Sequence, residues 1–182
     1  MALAQFRQAI NRNGRSDPPY PLTHSGACIV AGNAWCLHED LQQAGALPVI
    51  AVNGAAREVK AFALYSQHPD RFARWIRWQK RLHPNFTVHS SSANQFVDHV
   101  WDIENGGGSA WGARKVAFLM GFTQVILCGC PMQVGPYVGN HNLGGFMHKE
   151  AVVDELFERI KTDEQWHGGC ISMSGRTKDL LC

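Results

Sequence analysis

The chain has little charge for its length: 18% of its 182 residues are Asp, Glu, Lys or Arg, and the formal net charge is +2. So small an excess argues against nucleic acid or a membrane surface as the main partner. No stretch approaches the ~20 consecutive apolar residues of a membrane span, and the N-terminal residues lack the apolar core of a signal peptide. The expected location is therefore cytoplasmic, with no membrane partner. The six cysteines, at positions 28, 36, 128, 130, 170 and 182, include no CxxC pair, and in a cytosolic setting no disulfide framework is expected. There is no GxGxxG fingerprint and no Gly-Lys-Ser/Thr of a phosphate loop. Internal repeats and low-complexity tracts are also missing.

Most informative is the stretch 105–132, NGGGSAWGARKVAFLMGFTQVILCGCPM. Three glycines and a serine suit a tight turn where a ligand approaches bare backbone. Ala110, Ala113, Val116, Ala117 and Met120 then recur at helical spacing, and Gly121 supplies a helix stop. Residues 124–129 form an unbroken apolar run, as in a parallel strand buried on both faces. Loop, helix and buried strand make one unit of an α/β sheet. Gly108 and Ser109, at the helix N-terminus, are candidates to meet an anion.

The remaining chain supplies further units. Residues 1–12 read as a short helix with Leu3, Phe6 and Ile10 on one side, and 13–23, rich in Pro and Gly, as a surface arm. The expected division is an N-terminal arm over 1–25 and one domain over 26–182. Strands are expected at 26–32, 47–52, 60–66, 86–89, 96–103, 124–129 and 167–173; a helix continued from Ala55 is the alternative for 60–66. Helices are expected from Leu37 to Ala44, from Asp70 to Leu82 and over 149–161, and a turn over 174–177.

Gly32 and Asn33 end the first buried strand, where open α/β sheets bind ligands; an ordinary strand-to-helix turn is the alternative. Asn53 ends the second strand. Its amide suits a ribose hydroxyl or a base edge, although Asn-Gly is equally a turn dipeptide. His68 ends the third. On the helix from Asp70, Arg71, Arg74, Arg77, Lys80 and Arg81 make a basic stripe that reads as a solvated face or as a contact for phosphates or an acidic acceptor. Residues 130–145 form a long connection without structure of its own, the kind that serves as an active-site lid or stays disordered. It contains Tyr137 and His141, with His148 just beyond.

Four pieces of sequence together resemble the small metal-independent bacterial sialyltransferases and the hydroxymethylpterin diphosphokinase (MptE-like) group, and short phage or prophage proteins of the same look. They are Gly32-Asn33-Ala34-Trp35-Cys36-Leu37, Val52-Asn53, Gly107-Gly108-Ser109 and the run from Met120 to Gly129. The resemblance covers roughly 26–129, with an echo at 171–175. It implies a single Rossmann-like, doubly wound α/β domain: a mostly parallel sheet with helices on both faces. It further implies a metal-independent transferase whose donor is a nucleotide or nucleotide-sugar. A histidine would be the base, with phosphate-contacting tyrosines before it; His141 and Tyr137 are the nearest candidates.

On this reading Gly32, Asn33 and Asn53 bind the nucleoside, Gly108 and Ser109 meet phosphate, and Tyr137 and Arg114 stabilise the departing charge. The pattern also departs from the family. Trp35-Cys36 replaces its Pro-Ser, and Cys130-Pro131-Met132 replaces its aspartate. The alternative expectation is thus a non-catalytic phage-type protein that binds or sequesters a nucleotide. A zinc site from Cys128, Cys130, Cys170 and His167 is a third expectation, on spacing looser than in zinc knuckles. A nucleotide-class small molecule is the expected partner, and a homo-oligomer remains open.

Overall fold

The computed structural model describes residues 9–11, 24–104, 106–138 and 149–182. Among these residues eight strands form one sheet: β1 (Ala9–Asn11), β2 (Ala27–Ala31), β3 (Val49–Val52), β4 (Ala63–Tyr65), β5 (Thr87–Ser90), β6 (His99–Trp101), β7 (Gln124–Cys128) and β8 (Cys170–Ser172). Their order is β1-β6-β5-β4-β3-β2-β7-β8. Every pair is parallel except β1 with β6. Among the described residues five α-helices cover it: α1 (Leu37–Ala44), α2 (Phe72–Leu82), α3 (Gly108–Leu119), α4 (Glu150–Thr162) and α5 (Gly175–Leu181). The fold is Rossmann-like α/β, doubly wound and mostly parallel.

Side chains alternate across each strand, which divides the core in two. Cys28, Val30, Ile50, Val52, Val125 and Leu127 pack on one face with Trp111 and Val116 of α3 and Ile160 of α4. Ile29, Ala31, Ala51, Leu64, Ile126 and Cys128 pack on the other with Leu37 of α1 and Phe72 and Trp75 of α2. Burial on both faces explains why these strands read as apolar runs rather than alternations. Among the described residues no helix is long and apolar enough to cross a membrane.

Two expectations fail. Residues 9–11 are a strand, not part of a helix: Ala9, Ile10 and Asn11 pair antiparallel with Trp101, Val100 and His99. The open edge of β6 offers its unpaired peptide groups, and that long-range pairing overrides a weak local preference. Residues 174–177 are not a turn: Ser174 stands at the N-cap of α5, and 175–177 are its first residues. For 60–66 the strand prevails, and the segment after β3 is a short 3-10 helix over Asn53–Arg57.

α3 is buried all round rather than along one stripe, and it carries Arg114 and Lys115 inside. Lys115 Nζ lies 2.5 Å from Asp163 Oδ2, and Trp111 Nε1 donates to the same oxygen at 2.9 Å. Burial alone raises the Asp163 pKa, but the hydrogen bonds from Lys115 and Trp111 outweigh it and hold the carboxyl below its usual value. Lys115 also donates to the Glu104 carbonyl at 3.4 Å, so this buried pair ties α3, the end of α4 and the loop entering α3 together. Lys115→Met leaves Asp163 half-sequestered without its cation and is expected to cost about 2–4 kcal/mol. In urea unfolding, Lys115→Met/Asp163→Leu should recover more than half of that loss.

Candidate functional site

The chain leaves β2 for α1 on one face of the sheet, whereas the connection after β7 leads to α4 on the other. The carboxyl ends of β2 and β7 therefore flank the topological switch point, where a doubly wound sheet opens a crevice. Its floor is backbone against backbone. A Cβ on Gly32 would stand 2.4 Å from the Gly129 carbonyl oxygen and 2.6 Å from Cys130 Sγ. One on Gly129, whose φ is +65°, would stand 2.6 Å from the Gly32 oxygen. The Gly32 N–H donates to Cys128 O at 2.8 Å, and the Ala34 N–H to Gly129 O at 3.1 Å.

One wall comes from the connection after β7, which turns back over the Gly32-Asn33 turn. Trp35 N–H donates to Pro136 O at 3.1 Å and Val138 N–H to Asn33 O at 3.0 Å, with an antiparallel bridge between Ala34 and Tyr137. The indole of Trp35 occupies the space that a Gly135 side chain would need. Tyr137 is thereby brought beside Ala34, and burial raises its hydroxyl pKa. His141 and His148 lie outside the described residues.

Asn33 packs on Gly54, where a Cβ would sit 2.8 Å from its Nδ2. Its Nδ2 donates to Val138 O at 3.4 Å, and its Oδ1 is buried without a hydrogen bond. Asn53 takes a left-handed backbone, φ +54°, a region that Asn tolerates better than other non-glycine residues. Its Oδ1 accepts from Ser66 Oγ–H at 2.6 Å. Ser66 Oγ accepts from His68 N–H at 2.9 Å, and Ser90 Oγ–H donates to Ser66 O at 2.7 Å. With its oxygen engaged by Ser66, Asn53 has its NH₂ group left to offer as a donor.

The glycine turn before α3 reaches the same edge, since Gln67 N–H donates to Ser109 Oγ at 3.3 Å. Its glycines also have a packing reason. Gly107 has φ +73°, and its Cβ would lie 2.6 Å from Ile160 Cγ1 and 2.9 Å from Trp111 Cδ1. Gly108 has φ +80° and faces Leu156. The turn therefore seats α4.

Several residues that build the site were not singled out in the sequence. Asp40 of α1 is 1% exposed. It accepts from Gly129 N–H at 2.8 Å and from the Ser174 hydroxyl, joining the ends of β7 and β8. Thr177 Oγ1–H donates to Cys130 O at 2.7 Å. A buried acid in the first turn of an amphipathic helix carries no local signal of its long-range partners. A cavity of about 630 Å³ opens farther along the edge, lined by Gln133, Val134, Lys149, Glu150, Val153, Asp154 and Arg176. None of the expected site residues that the structure describes lines it.

No protein-family profile, no curated protein and no solved structure matches the chain.

Two expectations need correction. Arg114 does not reach the edge: it is fully buried, ringed by Trp111, Phe118 and Trp166, and donates to Gly168 O at 3.3 Å. Nor do Cys128, Cys130, Cys170 and His167 converge on a metal, because Cys128 packs on the α1 and α2 face while Cys130 and Cys170 pack on the α3 face. Among the described residues no group of three His, Cys, Asp or Glu side chains is placed to hold one. Burial pushes the thiol pKa of Cys128 up to about 12 and that of Cys36 to about 11.

His89, at the end of β5, is buried. Its Nδ1 accepts from Trp101 Nε1–H at 2.9 Å, because an indole nitrogen only donates. Nε2 therefore carries the proton and donates to Thr87 Oγ1 at 2.6 Å. Burial, with His24 nearby, lowers its pKa from 6.5 to about 3. The unfolded chain thus binds this proton between pH 6.5 and about 3 while the folded chain does not. Its contribution is complete above pH 6.5 and declines as pH falls through that window, by roughly 1.4 kcal/mol per pH unit. Urea unfolding at pH 7 and pH 5 should show a steeper loss in the wild type than in His89→Asn; equal slopes contradict the assignment.

The floor contact has its own test. Gly32→Ala is expected to cost about 2–4 kcal/mol, since its new atom meets backbone that cannot move aside. Gly106→Ala, with nothing within 4 Å, should change the unfolding midpoint little.

Proposed function

We propose that the protein is a metal-independent transferase that uses a nucleotide or nucleotide-sugar, with its donor in the crevice between the ends of β2 and β7. The observation that carries this is the Asn33 side-chain oxygen, buried and unpartnered at the switch point. A buried acceptor without a donor costs roughly 1–3 kcal/mol, which a ligand N–H or O–H would recover. Asn53 offers the complementary donors, so the two amides suit a base edge and a ribose hydroxyl. Ser109 keeps its hydroxyl hydrogen for a phosphate, because its oxygen accepts from Gln67 N–H.

Tyr137, held against Ala34, is the group nearest the donor to stabilise charge on a departing phosphate. His141, three residues beyond the last described position before it, is the proposed base on an acceptor hydroxyl. An acceptor seat is available in the cavity between the first turns of α4 and α5.

One observation favours a second reading, a nucleotide-binding protein without turnover. Cys36 stands where the resembling families carry a serine, and it is buried 7% exposed with its thiol pKa raised. It offers a donor phosphate neither a hydroxyl nor a thiolate.

Thermal unfolding with CMP, CDP, UDP and ATP separates these readings from a protein that binds none of them. At least one nucleotide should raise Tm, by linkage worth about 2.7 kcal/mol at a hundredfold excess over Kd. Asn33→Ala and Asn53→Ala should each weaken that shift about tenfold in ligand concentration, and the absence of any shift contradicts both readings. Product analysis with the matching nucleotide-sugar then divides them: turnover abolished by His141→Ala supports the transferase. Binding without turnover supports the second reading.

A further inference from the structure

Near-neutral net charge conceals a segregation. Seven of the 17 Lys and Arg side chains fall within residues 57–83, against two of the 15 Asp and Glu. Most of them lie on α2, whose buried face is Phe72, Trp75 and Gln79. Arg74, Arg77, Lys80 and Arg81 are all exposed, and none has a carboxylate partner among the described residues. Arg74, Arg77, Trp78 and Arg81 follow one another at i, i+3, i+4 and i+7, so they line one ridge of the helix. Like charges at those spacings lie ~5–6 Å apart and destabilise a helix by tenths of a kcal/mol per pair. Among the described residues no carboxylate offsets this.

We infer that the exposed ridge of α2 is a docking surface for single-stranded nucleic acid, gripped through its phosphates and independent of the transferase site. Three of the four unpaired cations are arginines, whose planar forks match phosphate oxygens better than an ammonium does. The Arg74 guanidinium lies over the Trp78 ring, 4.6 Å from its centroid, with Arg57 at 5.8 Å. Such a stacked pair presents a flat surface to an unpaired base and holds its donors for the backbone beside it. The ridge carries no short amide or hydroxyl side chain to read base edges, so the contact is indifferent to sequence. A membrane fits it less well: apart from half-buried Ile76 and Trp78 and the terminal Leu82, α2 presents no large apolar side chain to solvent.

Fluorescence anisotropy of a labelled oligothymidylate of about 15 nucleotides, titrated from low to physiological salt, tests this. Three or four phosphate contacts predict that log Kobs falls against log salt with a slope of about −2 to −3. The Arg74→Ala/Arg77→Ala/Arg81→Ala variant should lose about 2 from that slope and bind at least tenfold more weakly at low salt. Its circular dichroism should be unchanged, and its Tm at low salt equal or higher, because like charges are removed. Were the triple variant to lose its helical signal, Arg77→Gln alone should reduce the slope by about 0.7. No binding at the lowest salt, a slope unchanged in these variants, or a matched duplex bound as tightly as the single strand overturns the inference. So does capture by phosphatidylserine vesicles without capture of the oligonucleotide.

Discussion

The architecture depends on one contact, that of the Gly32 and Gly129 peptide groups at the carboxyl ends of β2 and β7. Neither position has room for a Cβ, so the two central strands run to their ends side by side and their loops leave for opposite faces. A side chain at either position would wedge the loops apart. The crevice between them then loses its floor. Around this contact the fold places unusual polar investment. Asp40 is held between the Gly129 N–H and the Ser174 hydroxyl, and Thr177 bonds the Cys130 carbonyl. Burying a carboxylate is tolerable only with such donors, and here they come from the backbone end of β7 and the turn after β8. The strands and loops at the switch are therefore fastened by hydrogen bonds as well as by apolar packing.

Backbone strain is concentrated along the same edge. Among the described residues, Asn53 and Met132 alone are non-glycine residues with positive φ, and both lie in connections after strands β3 and β7. Such conformations cost on the order of 1–3 kcal/mol where the residue is ill suited. They persist where the surroundings determine them, as Ser66 does for Asn53. The other end of the energy balance is the interior of α3. Its Arg114 sits in an aromatic ring cluster, and burial lowers its pKa. Lys115 is paired with Asp163. These groups secure α3 and α4, which in turn position the glycine turn under Leu156 and Ile160.

The sheet was largely legible because strands buried on both faces leave continuous apolar runs, and β2, β3 and β7 fall within the expected stretches. Local signals failed where a distant partner decided the structure. Residues 9–11 joined β6, and 174–177 became the entry to α5 once Ser174 met Asp40 and Gly175 met Pro131. Glycines were ambiguous for a physical reason: a position without Cβ serves a close-packed helix and an approaching ligand equally well. At Gly107 the helix is what the structure supplies. Gly32, Asn33, Asn53 and Ser109 lie along one edge as their places after strands imply. Tyr137 beside Ala34, Ser66 against Asn53 and the Asp40 tie were illegible, because each spans residues whose proximity only the folded chain creates. Cysteine spacing left zinc as an alternative because strand alternation would put Cys128 and Cys130 on one face; β7 ends at Cys128, and Gly129, at φ +65°, turns the chain so that Cys130 packs with Cys170 on the opposite face.

The claim on which the functional account rests is that the crevice between β2 and β7 receives a nucleotide. Amide chemical-shift mapping of the isotopically labelled protein during titration with the nucleotide that raises Tm most is its most direct test. The account predicts saturable shifts at Gly32, Asn33, Ala34, Asn53, Gly54 and Gly129, including the Asn33 and Asn53 side-chain NH₂ signals. Saturable shifts confined to α2, or to the cavity walled by Lys149 and Arg176, with those residues unmoved, would contradict it.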